Sequence, residues 1–167
     1  MITACIALGS NLGNRRENLR FAIARIQSLA GTQLTAASDF LCTLPVDSPL
    51  GSPEFLNAAV VIETSLSAAA LMNALLEIER QLGRRRDDAP RNASRPIDLD
   101  LLLFGNSIIR TPDLTVPHPR MHTRLFVLEP LAQVAPNLWH PELNCTIHEL
   151  LTSLQKDLLR ENSPHHS

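Results

Sequence analysis

Tyrosine is missing from the sequence altogether, tryptophan occurs once, and Lys156 is the only lysine. No apolar run approaches the ~20 residues that a bilayer span requires, so a transmembrane protein is not expected. The three cysteines, Cys5, Cys42 and Cys145, are odd in number and scattered. They are read as small core residues of a reduced cytoplasmic protein rather than as a disulfide framework. The N-terminal stretch MITACIALGSNLG has no basic segment ahead of its apolar residues, so no signal peptide is read there. Excess positive charge is also absent: the net charge is −2, which argues against a nucleic-acid partner. No Gly-Lys pair occurs, which excludes a P-loop, and no G-x-G-x-x-G fingerprint is present.

The residues that are present describe a globular domain. Hydrophobic residues make up 44% of the 167 positions and charged residues 19%, outside the range of disordered chains. Neither a repeat nor a linker interrupts the pattern, so one domain is expected over residues 1–160, with a disordered tail at 161–167. Residues 2–8 read as a strand, and GSNLGN (9–14) as a tight strand-to-helix turn. Asn14 with Glu17 has the spacing of a helix N-cap box, and apolar residues at Leu19, Ile23, Ile26 and Ala30 predict a helix over 15–30. Residues 32–43 and 55–64 are strand-like, separated by a proline-rich loop from Leu44 to Pro53. Ser67 can cap a helix whose Leu71, Leu75, Ile78 and Leu82 share a face and which Gly83 ends. After a polar loop at 84–95 comes a strand at 96–104, then a loop at VPHPRMH, a helix around 122–134, and a last helix capped by Thr146 and Glu149 and running to about 160. The order strand, helix, strand, strand, helix, strand, then mostly helix is that of an α+β ferredoxin-like sandwich. Its antiparallel sheet carries helices packed on its faces; the strand–helix repeat itself puts them on one side.

The chemistry concentrates at RNASRPIDLDLLLFG (91–105). Asp98 and Asp100 interrupt a run otherwise made of Ile, Leu and Phe. On a strand they point the same way, with Cβ atoms roughly 7 Å apart, while Ile97, Leu99, Leu101 and Leu103 point into the core and Leu102 and Phe104 share the aspartate face. Two neighbouring carboxylates repel. Water at an open strand end, a shared proton or a divalent cation could relieve the repulsion. Mg²⁺ commonly uses one or two carboxylates together with water and substrate phosphates. An isolated Asp-x-Asp is best read as a solvated strand end, but five arginines (Arg84, Arg85, Arg86, Arg91, Arg95) lie within twelve residues just before it. That clustering suits a polyphosphate, because guanidinium groups take charge that the metal leaves. His118 and His122 are four apart, but Pro117 and Pro119 argue against one continuous helix, and no cysteine lies near enough for a zinc site.

These motifs resemble the 6-hydroxymethyl-7,8-dihydropterin pyrophosphokinases of folate biosynthesis. The likeness runs from about Thr3 to Pro136. It rests on ALGSNLGN, FLNAAVVIET, the Glu79 to Arg84 segment, RPIDLDLLLFG, and LTVPHPRM followed by RLFVLEPL, in that order. The resemblance implies an enzyme in which the pterin hydroxymethyl oxygen attacks the β-phosphorus of ATP, releasing AMP. It implies two Mg²⁺ ions held by Asp98 and Asp100, one of them also touching the pterin hydroxyl. It implies phosphate-handling arginines Arg84, Arg86 and Arg95 on a mobile loop, with Arg84 and Arg95 taking part in catalysis. Glu79, Leu101, Thr115, His118 and Arg124 are the further nucleotide contacts it implies. For the pterin it implies Thr43, Pro45 and Asn57, with the ring stacked between Phe55 and Phe126. It further implies a cytoplasmic monomer acting on small molecules, without nucleic acid or membrane. Three positions depart from the family pattern. Asn92-Ala93-Ser94 stand where Trp-Gly-Pro is frequent, Phe55 replaces a common tyrosine, and Asp113 stands where some members carry arginine. A non-catalytic sensing module and a two-metal nuclease are the other classes considered; the first predicts nucleotide binding without AMP release, and the second lacks a basic face.

Overall fold

The structure is a computed structural model, and it describes residues 1–43, 54–83 and 96–162. The expectations on Pro45, Arg84, Arg86 and Arg95, on the loops that hold them, and on the last five residues lie outside the described residues.

Five strands form the main sheet: β1 (Ile2–Ser10), β2 (Thr32–Ala37), β3 (Leu41–Thr43), β4 (Phe55–Thr64) and β5 (Asp98–Phe104). Their order is β2-β4-β1-β5, all neighbours are antiparallel, and β3 pairs with β4 beyond the end of β2. With β2 and β3 counted as one interrupted strand, this is the ferredoxin-like order that the sequence predicts. The interruption has a local cause. The Ser38 backbone N–H donates to the Ala59 carbonyl (2.9 Å) and its hydroxyl accepts from the Ala59 N–H (2.9 Å), so a side chain continues the ladder where the backbone bends away.

Helices α1 (Arg15–Gln27) and α2 (Ala68–Gln81) cover one face of the sheet. Leu19, Ala22 and Ile26 of α1 and Leu71, Leu75 and Ile78 of α2 meet Ile6, Leu8, Val60, Ile62, Leu99 and Leu101 in one core. The opposite face is covered by α3 (Leu125–Val134) and α4 (Ile147–Glu161). Their residues Val127, Leu128, Leu131, Ile147 and Leu150 pack on Cys5, Ala7, Ala59, Val61 and Leu103. Helices thus lie on both faces, where the strand–helix order by itself puts them on one. Burial on both faces explains why the central strands read as unbroken apolar runs.

Caps set the helix starts. Ser67 accepts from Ala70 N–H, and Thr146 and Glu149 form a complete reciprocal capping box. At Asn14 only half the box forms: its side chain accepts from Glu17 N–H, while the Glu17 carboxylate pairs with Arg20 instead. Helix α1 stops at Gln27 rather than near Gly31, because Ser28 takes the cap and its hydroxyl bonds the Ala24 carbonyl. A 3₁₀ turn at Met121–Thr123 precedes α3, so the helix expected from 122 begins at 125. Helix α4 ends at Glu161, close to the expected end near 160.

Two small hairpins escape the sequence pattern: β6 (Ile109–Arg110) with β7 (Thr115–Val116), and β8 (Trp139–His140) with β9 (Cys145–Thr146). An Arg110–Glu142 ion pair joins them. The second hairpin turns around His140, which is 3% exposed; its Nδ1 accepts from the backbone N–H groups of Glu142 (3.3 Å) and Leu143 (3.1 Å). Burial, reinforced by His122 and opposed by Glu142, holds this imidazole below the ordinary histidine range. Unfolded His140 therefore takes up a proton at a higher pH than the folded chain does. Its contribution to stability is complete above about pH 6.5 and is lost as the pH falls below that value. Urea titrations from neutral to mildly acidic pH are expected to show a declining midpoint, and His140→Ala, less stable at neutral pH, is expected to decline less steeply. An identical pH slope in both proteins would contradict this assignment.

Cys5 is buried as expected, and burial pushes its thiol up to about 12. Cys42 is exposed, contrary to the core reading, and all three cysteines are free. Among the described residues no helix is long and apolar enough to cross a membrane.

Candidate active site

Strand register assembles the site. Asn57 of β4 lies opposite Gly9 of β1, which lies opposite Asp98 of β5; one row along, Ala59, Ala7 and Asp100 align in the same way. Ala59 and Ala7 face α3 and α4, so alternation puts Phe55, Asn57, Gly9, Asp98 and Asp100 on that same face, at one end of the sheet. The expected outward alignment of the two acids therefore holds. Alternation fails from Leu103 onward. A β-bulge opposite Cys5 and Ile6 makes Leu102 an extra residue, so Leu103 turns toward α3 and α4 while Phe104 turns toward α1 and α2, the reverse of strict alternation.

The polar residues here are closely organised. Asn57 is 4% exposed, and its Nδ2 donates to Thr43 Oγ1 at 2.6 Å across the β3–β4 pair. Its carbonyl oxygen faces Gly9: a Cβ placed on Gly9 would lie 3.2 Å from Asn57 Oδ1 and 3.6 Å from the Phe55 ring. Gly9 thus keeps a floor one atom deep between the amide and the ring. Sequence reading assigned it to a turn, but β1 runs on to Ser10, and the positive-φ glycine of that loop is Gly13. Arg15 Nη1 donates to the Glu54 carbonyl at 2.5 Å and so ties α1 to the residue before Phe55; nothing in the sequence pattern pointed to it.

Phe126, on the first turn of α3, is half-buried against the α3–α4 core, with the Arg124 guanidinium 5.5 Å from its ring centroid. His118 is half-buried. Its backbone N–H donates to the Leu102 carbonyl at 2.9 Å, and its Nδ1 accepts from Arg120 N–H at 3.2 Å, leaving Nε2 as the proton-bearing or donor nitrogen. Burial and then Arg124 hold its imidazole below the usual range, and Asp98 pulls it back up. Asp98, His118, Arg120 and Arg124 therefore share one electrostatic neighbourhood. Thr115 pairs with Arg110 at the start of β7, directly ahead of the cis Val116–Pro117 peptide. Leu101 faces away, 3% exposed in the α1–α2 core, so only its backbone is available to a nucleotide. Glu79 is 2% exposed at the C-terminal end of α2, and its Oε2 accepts from Leu99 N–H at 3.2 Å.

The arrangement offers a buried donor–acceptor amide, aromatic rings, two half-exposed carboxylates and a set of cationic or imidazole groups on one sheet end. Such a set can orient a flat heterocycle at one side and a polyanion at the other.

The sequence profile described as 7,8-dihydro-6-hydroxymethylpterin-pyrophosphokinase (HPPK) matches residues 5–136. The 2-amino-4-hydroxy-6-hydroxymethyldihydropteridine pyrophosphokinase of Haemophilus influenzae is 42% identical over 156 residues, 93% of this chain and 92% of that protein. The protein of the same name from Bacillus subtilis is 46% identical over 131 residues, 78% of this chain and 77% of that one. Among solved structures, a Plasmodium falciparum HPPK-DHPS A437G chain with SDX-DHP superimposes with a TM-score of 0.76 at 14% identity, covering 96% of this chain and 47% of that one, a likeness of fold. Profile, relatives and fold agree: the chain belongs to the 7,8-dihydro-6-hydroxymethylpterin-pyrophosphokinase family.

Proposed function

We propose that the sheet end carrying Asn57, Gly9, Asp98 and Asp100 is where this pyrophosphokinase transfers the β,γ-diphosphate of ATP to the hydroxymethyl group of 6-hydroxymethyl-7,8-dihydropterin. The hydroxymethyl oxygen forms a bond to the β-phosphorus, the bridge to the α-phosphate breaks, AMP leaves, and the hydroxyl proton is released. The observation that carries the assignment is the row Asn57–Gly9–Asp98. Two strand spacings separate its ends by about 10 Å, close to the length of a bicyclic heterocycle with one exocyclic carbon. A pterin anchored through its amide edge on Asn57 and Thr43 and laid over Gly9 presents its hydroxymethyl group near Asp98. Phe55 and Phe126 supply rings for stacking.

The two aspartates suit Mg²⁺. They are half-exposed and lie on one face, and among the described residues no group of three His, Cys, Asp or Glu side chains converges as an all-protein cage would require. Two carboxylates, with the remaining positions left to phosphate oxygens and water, are what this hard cation takes beside a nucleotide. Bound by Asp98 and Asp100, two Mg²⁺ ions would supply charge neutralisation on the triphosphate and acidify the attacking hydroxyl. The chain's own residues then align the reactants: Asn57 fixes the ring, and His118, Arg124 and Thr115 hold the nucleotide, with Arg84, Arg86 and Arg95 drawing charge from the phosphates. Under this reading residues 1–160 act as one domain, monomeric and cytoplasmic, on small molecules.

Incubation with ATP, Mg²⁺ and the reduced pterin is expected to yield AMP and the pterin diphosphate; ADP as the nucleotide product would contradict the reaction. Gly9→Ala probes the floor of the site. With its Cβ 3.2 Å from Asn57 Oδ1 the neighbour must shift, and the pterin KM is expected to rise about tenfold while the ATP KM stays unchanged. An unaltered pterin KM would remove Gly9 from the site.

A further inference from the structure

We infer that Glu79 is a positioning residue for the aspartate pair, acting through the backbone of Leu99; the inference rests on the reading of Asp98 and Asp100 as metal ligands. Among the described residues strand β5 is the edge of the sheet, with β1 on its inner side only. An edge strand presents backbone groups that no neighbouring strand satisfies, and these must find other partners when buried. Two such groups on β5 have partners. The Leu102 carbonyl accepts from His118 N–H at 2.9 Å, and the Leu99 N–H donates to Glu79 Oε2 at 3.2 Å. Leu99 stands between the two aspartates, and its N–H belongs to the peptide that joins it to Asp98. Rotation of that peptide would swing the Asp98 side chain and alter its spacing from Asp100.

Glu79 is well placed to prevent the rotation. It is 2% exposed, one helical turn from the buried Leu75 and directly after the buried Ile78, so the packing of α2 on the sheet fixes its direction. The leucine side chains at 99 and 101 face α2, whereas the aspartates face α3, so Glu79 approaches β5 from the side of the sheet opposite the metal ligands. It does not converge with Asp98 and Asp100 as a third ligand. Its buried carboxylate acts instead as a fixed acceptor for the edge N–H, the kind of outer support that holds ligands of a metal in place. Glu79 has other contacts as well, and the proposal concerns only this one.

The test compares Glu79→Ala, Glu79→Asp and Glu79→Gln with the intact protein in two measurements. One is Mn²⁺ titration, followed by electron paramagnetic resonance, in the presence of an ATP analogue that cannot be cleaved between its α- and β-phosphates. The other is hydrogen exchange at the Leu99 amide. Glu79→Ala is expected to weaken Mn²⁺ binding about tenfold or more and to speed Leu99 exchange, and to weaken nucleotide binding more in the presence of the metal than in its absence. Glu79→Asp, which withdraws the acceptor by one methylene, is expected to do the same to a smaller extent, and serves if the alanine variant does not fold. Glu79→Gln keeps an acceptor oxygen and is expected to restore most of both properties. Wild-type Mn²⁺ affinity in Glu79→Asp, or an equal loss of nucleotide affinity with and without the metal, would overturn the proposal. If Asp98→Ala itself binds Mn²⁺ as tightly as the intact protein, the metal assignment fails instead, whatever the Glu79 variants do.

Discussion

Asp98→Ala and Asp100→Ala are each expected to lower kcat by about 10³-fold or more, in line with the loss of a group that stabilises developing phosphoryl charge. The chain should fold normally. Both acids are half-exposed, and neither is part of the two cores that hold the sheet between its helix layers. The change in thermal midpoint should therefore be small beside the loss of activity. A stability loss matching the activity loss would mean that the aspartates serve the fold rather than the reaction. Turnover close to that of the intact enzyme in both variants would show that the metal is held elsewhere. Asp98 is expected to be the more sensitive position for nucleotide affinity as well, because its charge also reaches His118.

Asn57→Ala is the second large effect, and it should be confined to the pterin. The amide is 4% exposed, its Nδ2 is committed to Thr43, and its oxygen faces the floor at Gly9. Without it, the polar edge of the ring would be buried with one donor and one acceptor poorly satisfied. That costs about 2–3 kcal/mol, or roughly 10²-fold in pterin KM. The ATP KM should stay within about twofold, because Asn57 lies two strands from Asp98. Asn57→Asp should be worse still. It loses the donor and adds a negative charge to a face that already holds two. Equal changes in both KM values would place Asn57 in a general structural role, and an unchanged pterin KM would exclude it from the ring site.

The helices and long strands could be read from the sequence because each signal there is local. Ser67 and the Thr146–Glu149 box mark helix starts whatever the tertiary context. The alternation at Asp98, Leu99, Asp100 and Leu101 put both acids on one face because the bulge begins only after them. Leu103 and Phe104 were misdirected by that same bulge: it is a mismatch between two strands and leaves no mark on either alone. The hairpins at β6–β7 and β8–β9 are built from two-residue strands, too short for any periodicity, and His140 holds the second through its side chain.

The site shows the same division. The aspartate pair stood out because charge interrupts an apolar run. Asn57 and Thr43 came from family resemblance, since only the pairing of β3 with β4 brings them to 2.6 Å. Gly9 was assigned to a turn because a glycine before an Asn-Leu-Gly stretch suggests one. Its actual reason, space beside Asn57 and Phe55, exists only once three strands are in register. The burial of Glu79 and its bond to the peptide that joins Asp98 and Leu99 depend on how α2 packs over the sheet edge.

The central claim is that two carboxylates at the head of β5 hold a cation that a triphosphate brings with it. A crystal structure of the complex with Mg²⁺, the pterin and an ATP analogue stable between its α- and β-phosphates tests this most directly. The account predicts Mg²⁺ at about 2.1 Å from carboxylate oxygens of both Asp98 and Asp100 and from phosphate oxygens, with the pterin lying across Gly9 from Asn57. Mg²⁺ bound away from both aspartates, with their carboxylates facing bulk water, would contradict it.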